Sequence, residues 1–250
     1  MTATPAAGDL RAVVLAAGDG SRLREAAGGL PKPLVRLHGR ALIHHALDAL
    51  FAAGVRHATI VVGAEGERVR RAVDALHPCG MTVVCVDNPR WPGGNATSLA
   101  AGIDAVLAPF VLTMADHVVD PVIIRAVIEE AAPGPIGASP KHPSRVAVDR
   151  IDAADPRADD ATRVRLEGRR VVAIGKDLEA WDAVDTGVFW CTESLRDALT
   201  AGRLEGEAAV VFAELAARGQ LEAVDITGAR WVDVDTPDDL ARAAALFPPH

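Results

Sequence analysis

No stretch of this chain reaches the ~18–20 uncharged apolar residues of a membrane-spanning helix, although half of its 250 residues are hydrophobic. The opening segment, MTATPAAGDLRAVVL, lacks a basic stretch ahead of its apolar run and so lacks the outline of a signal peptide. A cytoplasmic protein without a membrane segment is expected. Positive charge is in deficit: 26 Lys and Arg stand against 34 Asp and Glu, a net charge of −8. That is the opposite of the basic face used for generic nucleic-acid binding, although a local basic pocket for phosphates is compatible with it. Cysteine is scarce. Cys79, Cys85 and Cys191 match no zinc spacing and read as reduced thiols, acting as small buried hydrophobes. Lysine is scarcer than its charge suggests. Lys32, Lys141 and Lys176 are the whole set, so 23 of the 26 cations are arginine. A site that needs a compact ammonium resists exchange for a planar guanidinium, which draws attention to Lys32 and Lys176.

What is present is a β-α rhythm. The apolar run at 11–16 reads as a buried parallel strand. Helix follows at 40–53, strand at 57–62, helix at 65–76, strand at 81–86, helix at 95–107, strand at 109–114 and helix at 119–131. This alternation predicts an α/β fold: a Rossmann-like, mostly parallel sheet with helices on both faces. Beyond about residue 133 the pattern turns to short strands, at 134–139, 145–149, 162–166 and 170–174, with the polar link DRIDAADPRADDAT expected to be exposed. Strand 183–190, helices near 192–201 and 207–218, strands near 221–226 and 230–234 and helix 237–246 complete the chain. There is no internal repeat and no long low-complexity tract. Residues 1–250 read as a single domain, with about 134–182 forming a small β-rich insertion or lid on the main sheet.

The segment AVVLAAGDGSRL places Gly18 and Gly20 in a tight turn at the C-terminal edge of the first strand, where open α/β sheets bind ligands. Glycine backbone can approach phosphates closely and point its N–H groups inward, and Arg22 adds a bidentate donor. The dinucleotide fingerprint fails because Leu23 stands where its third glycine belongs, and the P-loop fails for want of Gly-Lys-Ser/Thr. An ordinary strand-to-helix glycine turn remains the alternative. Pro31-Lys32-Pro33 stiffens the backbone against helix and sets Lys32 on a rigid track, where an ammonium can meet phosphate charge as it develops. Acids at strand ends are the natural holders of a divalent cation. Asp116 follows the fourth strand in VLTMADHVVD. Asp233 and Asp235 lie in RWVDVDTPDDL, two residues apart and so on one strand face. Capping of the helix near Pro237 competes for Asp235, with Thr236 as rival cap. ATRVRLEGRRVVAIGK reads as a hairpin delivering Lys176, and AVDTGVF carries Asp185 and Thr186. A lysine and an acid near a metal can hold a phosphate and the hydroxyls of a bound ligand, and His117 can add a further hydrogen bond.

LAAGDGSRL with PKPL downstream resembles the sugar-phosphate nucleotidyltransferase superfamily. The resemblance implies that Leu15, Ala16, Ala17, Gly18, Asp19 and Gly20 hold base and ribose, and that the glycine loop, Arg22 and Lys32 hold the triphosphate. It tips Asp116, Asp233 and Asp235 toward metal, without distinguishing which of the last two ligates directly. VLTMADHV, GN-x-x-SL at Gly94–Leu99, AIGKDL with VDTGVF, and WVDVDT narrow it to the CTP:inositol-1-phosphate cytidylyltransferases, over roughly residues 10–245. That implies Mg²⁺ as cofactor, CTP and a small phosphorylated acceptor as partners, and Asn88, Gly94, Asn95 and Ser98 on the base side. N-capping of the next helix is the alternative for Asn95. Lys176, Asp185, Thr186 and His117 fall on the acceptor side. Some members are fused to a membrane-embedded phosphotransferase, and none is expected here. Phosphonate or phosphocholine-like cytidylyltransferases, and sugar-1-phosphate transferases using another NTP, are the alternatives. A nucleotide-binding regulator without chemistry is a further one, and a homodimer is the ordinary expectation.

Overall fold

The run RAVVLA forms β1 (Arg11–Ala16), buried throughout after Arg11, as a strand covered on both faces must be. The computed structural model describes residues 10–18, 20, 23–24, 27–75, 80–130, 142–201 and 206–249. After β1, a 3-10 turn at Lys32–Leu34 leads to a small ribbon, β2 (Arg36–Leu37) with β3 (Arg40–Ala41), then α1 (Leu42–Ala52), β4 (His57–Val62), α2 (Gly66–Asp74) and β5 (Thr82–Asp87). Next come α3 (Asn95–Ala105), β6 (Phe110–Met114), β7 (His117–Val119) and α4 (Pro121–Glu129). The later half contains β8 (Ser144–Asp149), β9 (Arg163–Glu167), β10 (Arg170–Gly175), β11 (Ala183–Cys191), α5 (Glu193–Ala201), α6 (Ala209–Ala217), β12 (Leu221–Asp225), β13 (Trp231–Asp233) and α7 (Pro237–Leu246).

Nine strands make one sheet, ordered β5-β4-β1-β6-β11-β8-β12-β10-β9. The first four are parallel, as the β-α alternation requires, and β11 joins antiparallel to both β6 and β8. The strands of the expected insertion, β8, β9 and β10, are therefore part of the main sheet. Its segment 134–139 lies outside the described residues. Along β1 the alternation of side chains divides two cores. Ala12, Val14 and Ala16 face a layer with Leu47 and Leu50 of α1 and Ile123 and Val127 of α4. Val13 and Leu15 face Leu99 and Ile103 of α3, Leu195 of α5 and Phe212 of α6. A third, smaller cluster joins Leu23, Leu37, Leu42, Val118, Val232 and Val234. No helix among the described residues is long and apolar enough to cross a membrane.

One expected boundary is corrected. The helix anticipated from residue 119 starts at Pro121, capped by the Asp120 carboxylate, which accepts from Val122 N–H at 3.1 Å. His117–Val119 instead forms a strand pairing antiparallel with β13. Three β-prone residues directly before a proline-started helix are too few to show a period of their own.

Candidate functional site

The β7–β13 ribbon assembles the site. Its register sets Trp231 against Val119, Val232 against Val118 and Asp233 against His117, and Val234 N–H donates to the Asp116 carbonyl at 3.1 Å. Strand alternation then sends Val232 and Val234 into the third core cluster and leaves Asp233 and Asp235 on the opposite side. Lys32, only 9% exposed, enters from its 3-10 turn. Its Nζ lies 2.6 Å from Asp116 Oδ2 and 3.8 Å from Asp233 Oδ1, and it donates to Asp235. Gly20 makes this approach possible. A Cβ there would sit 2.4 Å from Lys32 Cβ, on backbone at φ +59°. His117 Nδ1 is 2.9 Å from Asp116 Oδ1 and 3.7 Å from Asp233 Oδ1, and its ring rests on Gly187, where a Cβ would come within 2.3 Å of it.

Burial alone would lower the Lys32 ammonium, but Asp116, Asp233 and Asp235 hold it above its usual value. Burial likewise opposes the charged Asp116 carboxyl, yet Lys32 and His117 keep it well below the usual carboxylate range. His117, lowered by burial, is carried by Asp233 and Asp116 up to about 9. Burial pushes Asp233 up, against the pull of His117. Side-chain atoms of Asp116, His117 and Asp233 all lie within 4.8 Å of one another, and Asp233 Oδ1 is buried with no hydrogen-bond partner among the described residues. Two carboxylates and an imidazole, one oxygen of them unsatisfied, fit a divalent cation. The cluster opens into a cavity of about 300 Å³. One wall is apolar, from Leu15, Leu112, Met114 and the stacked rings of Phe189 and Phe212, whose centroids are 4.0 Å apart.

A model of the MobA-like NTP transferase domain matches residues 12–224. The chain belongs to this family. The resemblance read from GDGSRL and PKPL is thereby borne out. This NTP transferase domain is 41% identical over 239 residues to a protein of Rubrobacter xylanophilus named bifunctional IPC transferase and DIPP synthase, covering 92% of this chain and 50% of the relative. It is 31% identical to a CMP-5'-(3-aminopropyl)phosphonate synthase of Streptomyces rubellomurinus, covering 99% of this chain and 40% of that protein. The chain spans about half the length of the bifunctional relatives it matches in Rubrobacter xylanophilus and Aquifex aeolicus. Among solved structures, the inositol-1-phosphate CTP transferase from T. maritima superposes with a TM-score of 0.80 at 25% identity, covering 96% of this chain and 95% of that one. The α/β fold expected from the sequence is the fold of this structure.

Within the NTP transferase domain, the residues expected to act together separate into two groups. Leu15, Lys32, Asn95, Asp116, His117, Lys176, Asp185, Asp233 and Asp235 all line the cavity. His117, expected toward the acceptor, stands with the acids, and Asp235 is held by Lys32. Thr236, not Asp235, caps α7, through a capping box with Asp239. Asn95 is not a cap either. Gly94 occupies that position, and Asn95 accepts from the Ala208 N–H, tying α3 to the approach to α6. Asp185, pushed up to about 6 by burial, accepts from Gly187 N–H. Lys176 bonds Asp160 at 3.1 Å, which keeps its ammonium raised despite burial.

The second group is spent inside the fold. Asn88 donates to Thr97 and Ser98 at 2.9 and 3.0 Å and accepts from Arg90 N–H, so Asn88 and Ser98 satisfy one another. Thr186 donates to the Ala147 carbonyl at 3.0 Å. None of these three, nor Ala16, Ala17, Gly18, Gly20 or Gly94, lines the cavity, and Asp19 and Arg22 lie outside the described residues. The tract expected to be an exposed link is exposed over much of its length and also supplies cavity wall. Arg157 donates to Asp149 at 2.9 Å and lies over the Trp231 ring, 5.2 Å from its centroid, and Trp231 Nε1 donates to the same carboxylate at 2.8 Å. Asp160, Glu207, Asp239 and Arg242 line the cavity too. The Pro156 3-10 turn, capped by Asp155 onto Arg157 N–H, was the one local signal that could have found Arg157.

Proposed function

We propose that the chain transfers CMP from CTP to inositol 1-phosphate, giving a CDP-linked product and pyrophosphate, with Mg²⁺ as cofactor. The observation that carries this is the cluster of Lys32, Asp116, His117, Asp233 and Asp235 at the head of a cavity large enough for a nucleotide's reacting end. The choice of acceptor is supported by the names of the relatives, an inositol-1-phosphate CTP transferase among them. Asp116 and Asp233, with His117, would hold the cation. When bound, it neutralises charge on the phosphates and orients them. The acceptor phosphate is already an anion near pH 7. Its oxygen forms a bond to the α-phosphorus of CTP as the α–β bridging bond breaks, and pyrophosphate leaves with the electron pair. No side chain needs to remove a proton, so the chain's contribution is positioning and electrostatics. Lys32 meets the triphosphate charge from the centre of the acids. Asp185, Asp160 and Glu207 accept from acceptor hydroxyls, and Lys176 stands beside them. A cytoplasmic location and a homodimer belong to this reading, as does one domain whose 134–182 region walls the acceptor.

Incubation with CTP, Mg²⁺ and inositol 1-phosphate should release pyrophosphate, and a chelator should stop it. Parallel assays with 3-aminopropylphosphonate and glucose 1-phosphate, and with UTP, GTP, ATP and dTTP, fix the pair. Release only with a phosphonate would replace the acceptor, and none with any pair would sink the transferase claim. Asp116→Asn should lower turnover by roughly 10²–10³-fold, the usual cost of losing one preorganised electrostatic group.

A further inference from the structure

The cations lining the cavity differ in what already holds them. Lys32 is met by three acids. Arg157 uses Nε and Nη2 on Asp155 and Nη1 on Asp149. Lys176 is bonded to Asp160. Arg242 donates through Nη2 to Asp239 Oδ1 at 2.9 Å, but its Nε is buried and has no hydrogen-bond partner among the described residues. An unpaired buried N–H on a charged group is costly, and an incoming anion relieves that cost. The position is braced. Asp239, one turn before Arg242 on α7, accepts through its other oxygen from the N–H of Asp235 and from Thr236 N–H and Oγ1. One carboxylate thus fixes both the chain at Asp235 and the guanidinium of Arg242. Arg242 faces the cavity that contains Lys32 and Asp116, and 37% of its side chain is exposed, as a residue that meets an entering substrate requires.

We propose that Arg242 binds the phosphoryl or phosphonate group of the acceptor and so determines which acceptors react. This rests on the transferase reading above. A guanidinium offers two N–H groups to two oxygens of a tetrahedral anion. The third oxygen stays free to form the new bond to the α-phosphorus while pyrophosphate departs. Lys176 then serves the hydroxyl-bearing part of the acceptor, beside Asp160.

Steady-state kinetics with CTP, Mg²⁺ and inositol 1-phosphate test this. Arg242→Gln should raise the acceptor KM by roughly 10- to 100-fold, the factor a charge-assisted hydrogen bond represents, with the CTP KM within about twofold of wild type. Arg242→Lys keeps the charge without the fork and should fall between. Melting temperature and its shift with CTP should match wild type in a folded variant. An unchanged acceptor KM in either folded variant overturns the proposal, as does an equal rise in both KM values. If wild type releases no pyrophosphate with any acceptor, the transferase reading fails instead. Calorimetry with inositol 1-phosphate then decides: binding to wild type but not to Arg242→Gln supports an anion site at Arg242, and equal or absent binding in both overturns it.

Discussion

Gly20 and Gly187 help decide where the charged residues of the site go, since an added Cβ would run into Lys32 at the first and His117 at the second. Gly20→Ala places a methyl 2.4 Å from Lys32 Cβ on backbone at φ +59°. Something must shift, and the lysine stem is what lies there. We expect a loss of about 1–3 kcal/mol of stability, read by denaturant titration, and a fall in turnover larger than that of an alanine at Gly18, where an added Cβ meets nothing within 4 Å. Equal turnover in the two variants would contradict the role given to Gly20. The GDG loop was legible in the sequence as a loop that makes room, but for phosphate. The structure shows the second glycine making room for the stem of Lys32. Asn88, Ser98 and Thr186 do not line the cavity, for a physical reason. A polar residue in a motif does not reveal whether its hydrogen bonds are already spent inside the protein, and these three are. The scarcity of lysine was a better guide, since Lys32 and Lys176 both reached the cavity.

Long elements with a clear period were legible almost to the residue. β1, β4 and α7 fall at 11–16, 57–62 and 237–246, because continuous apolar runs and a proline-started, capped helix leave little choice. The three-residue strand β7 was not legible, and without it nothing shows that Asp233 stands opposite His117. The alternation in WVDVDT was the half of the signal that sequence could supply. Thr236 sits where this ribbon hands over to α7, its hydroxyl accepting from Asp239 N–H at 3.2 Å while the Asp239 carboxylate caps in return. Thr236→Ala should cost about 1 kcal/mol, lowering the melting temperature by roughly 2–4 °C for a chain of this size. Because Asp239 also holds Asp235 N–H, turnover should fall with it. A variant that melts lower but turns over normally would show that the cap supports the helix alone.

At the scale of the whole molecule, three carboxylates around one ammonium make stability depend on pH and on cations together. His117 has an ordinary value of 6.5 and is raised to about 9 in the fold. A group raised on folding contributes fully below its unfolded value and loses that contribution as pH rises through its folded one. Metal-free protein should therefore lose stability between about pH 6.5 and 9, by up to about 3 kcal/mol, measured as a falling melting temperature. Asp185, raised from 3.8 to about 6 by burial, gives a separate fall between those two values with the same sign. The depressed acids, Asp116 first, act at lower pH in the opposite direction. On the proposed reading, a divalent cation on Asp116 and Asp233 would compete with the proton of His117, since an imidazole ligand must be neutral. Saturating Mg²⁺ should then raise the melting temperature and flatten the upper window, most strongly at the alkaline end. His117→Gln should remove the upper window and leave the one between 3.8 and 6 in place. A metal-free wild type with no slope above pH 6.5 would mean that His117 does not carry its proton between Asp116 and Asp233.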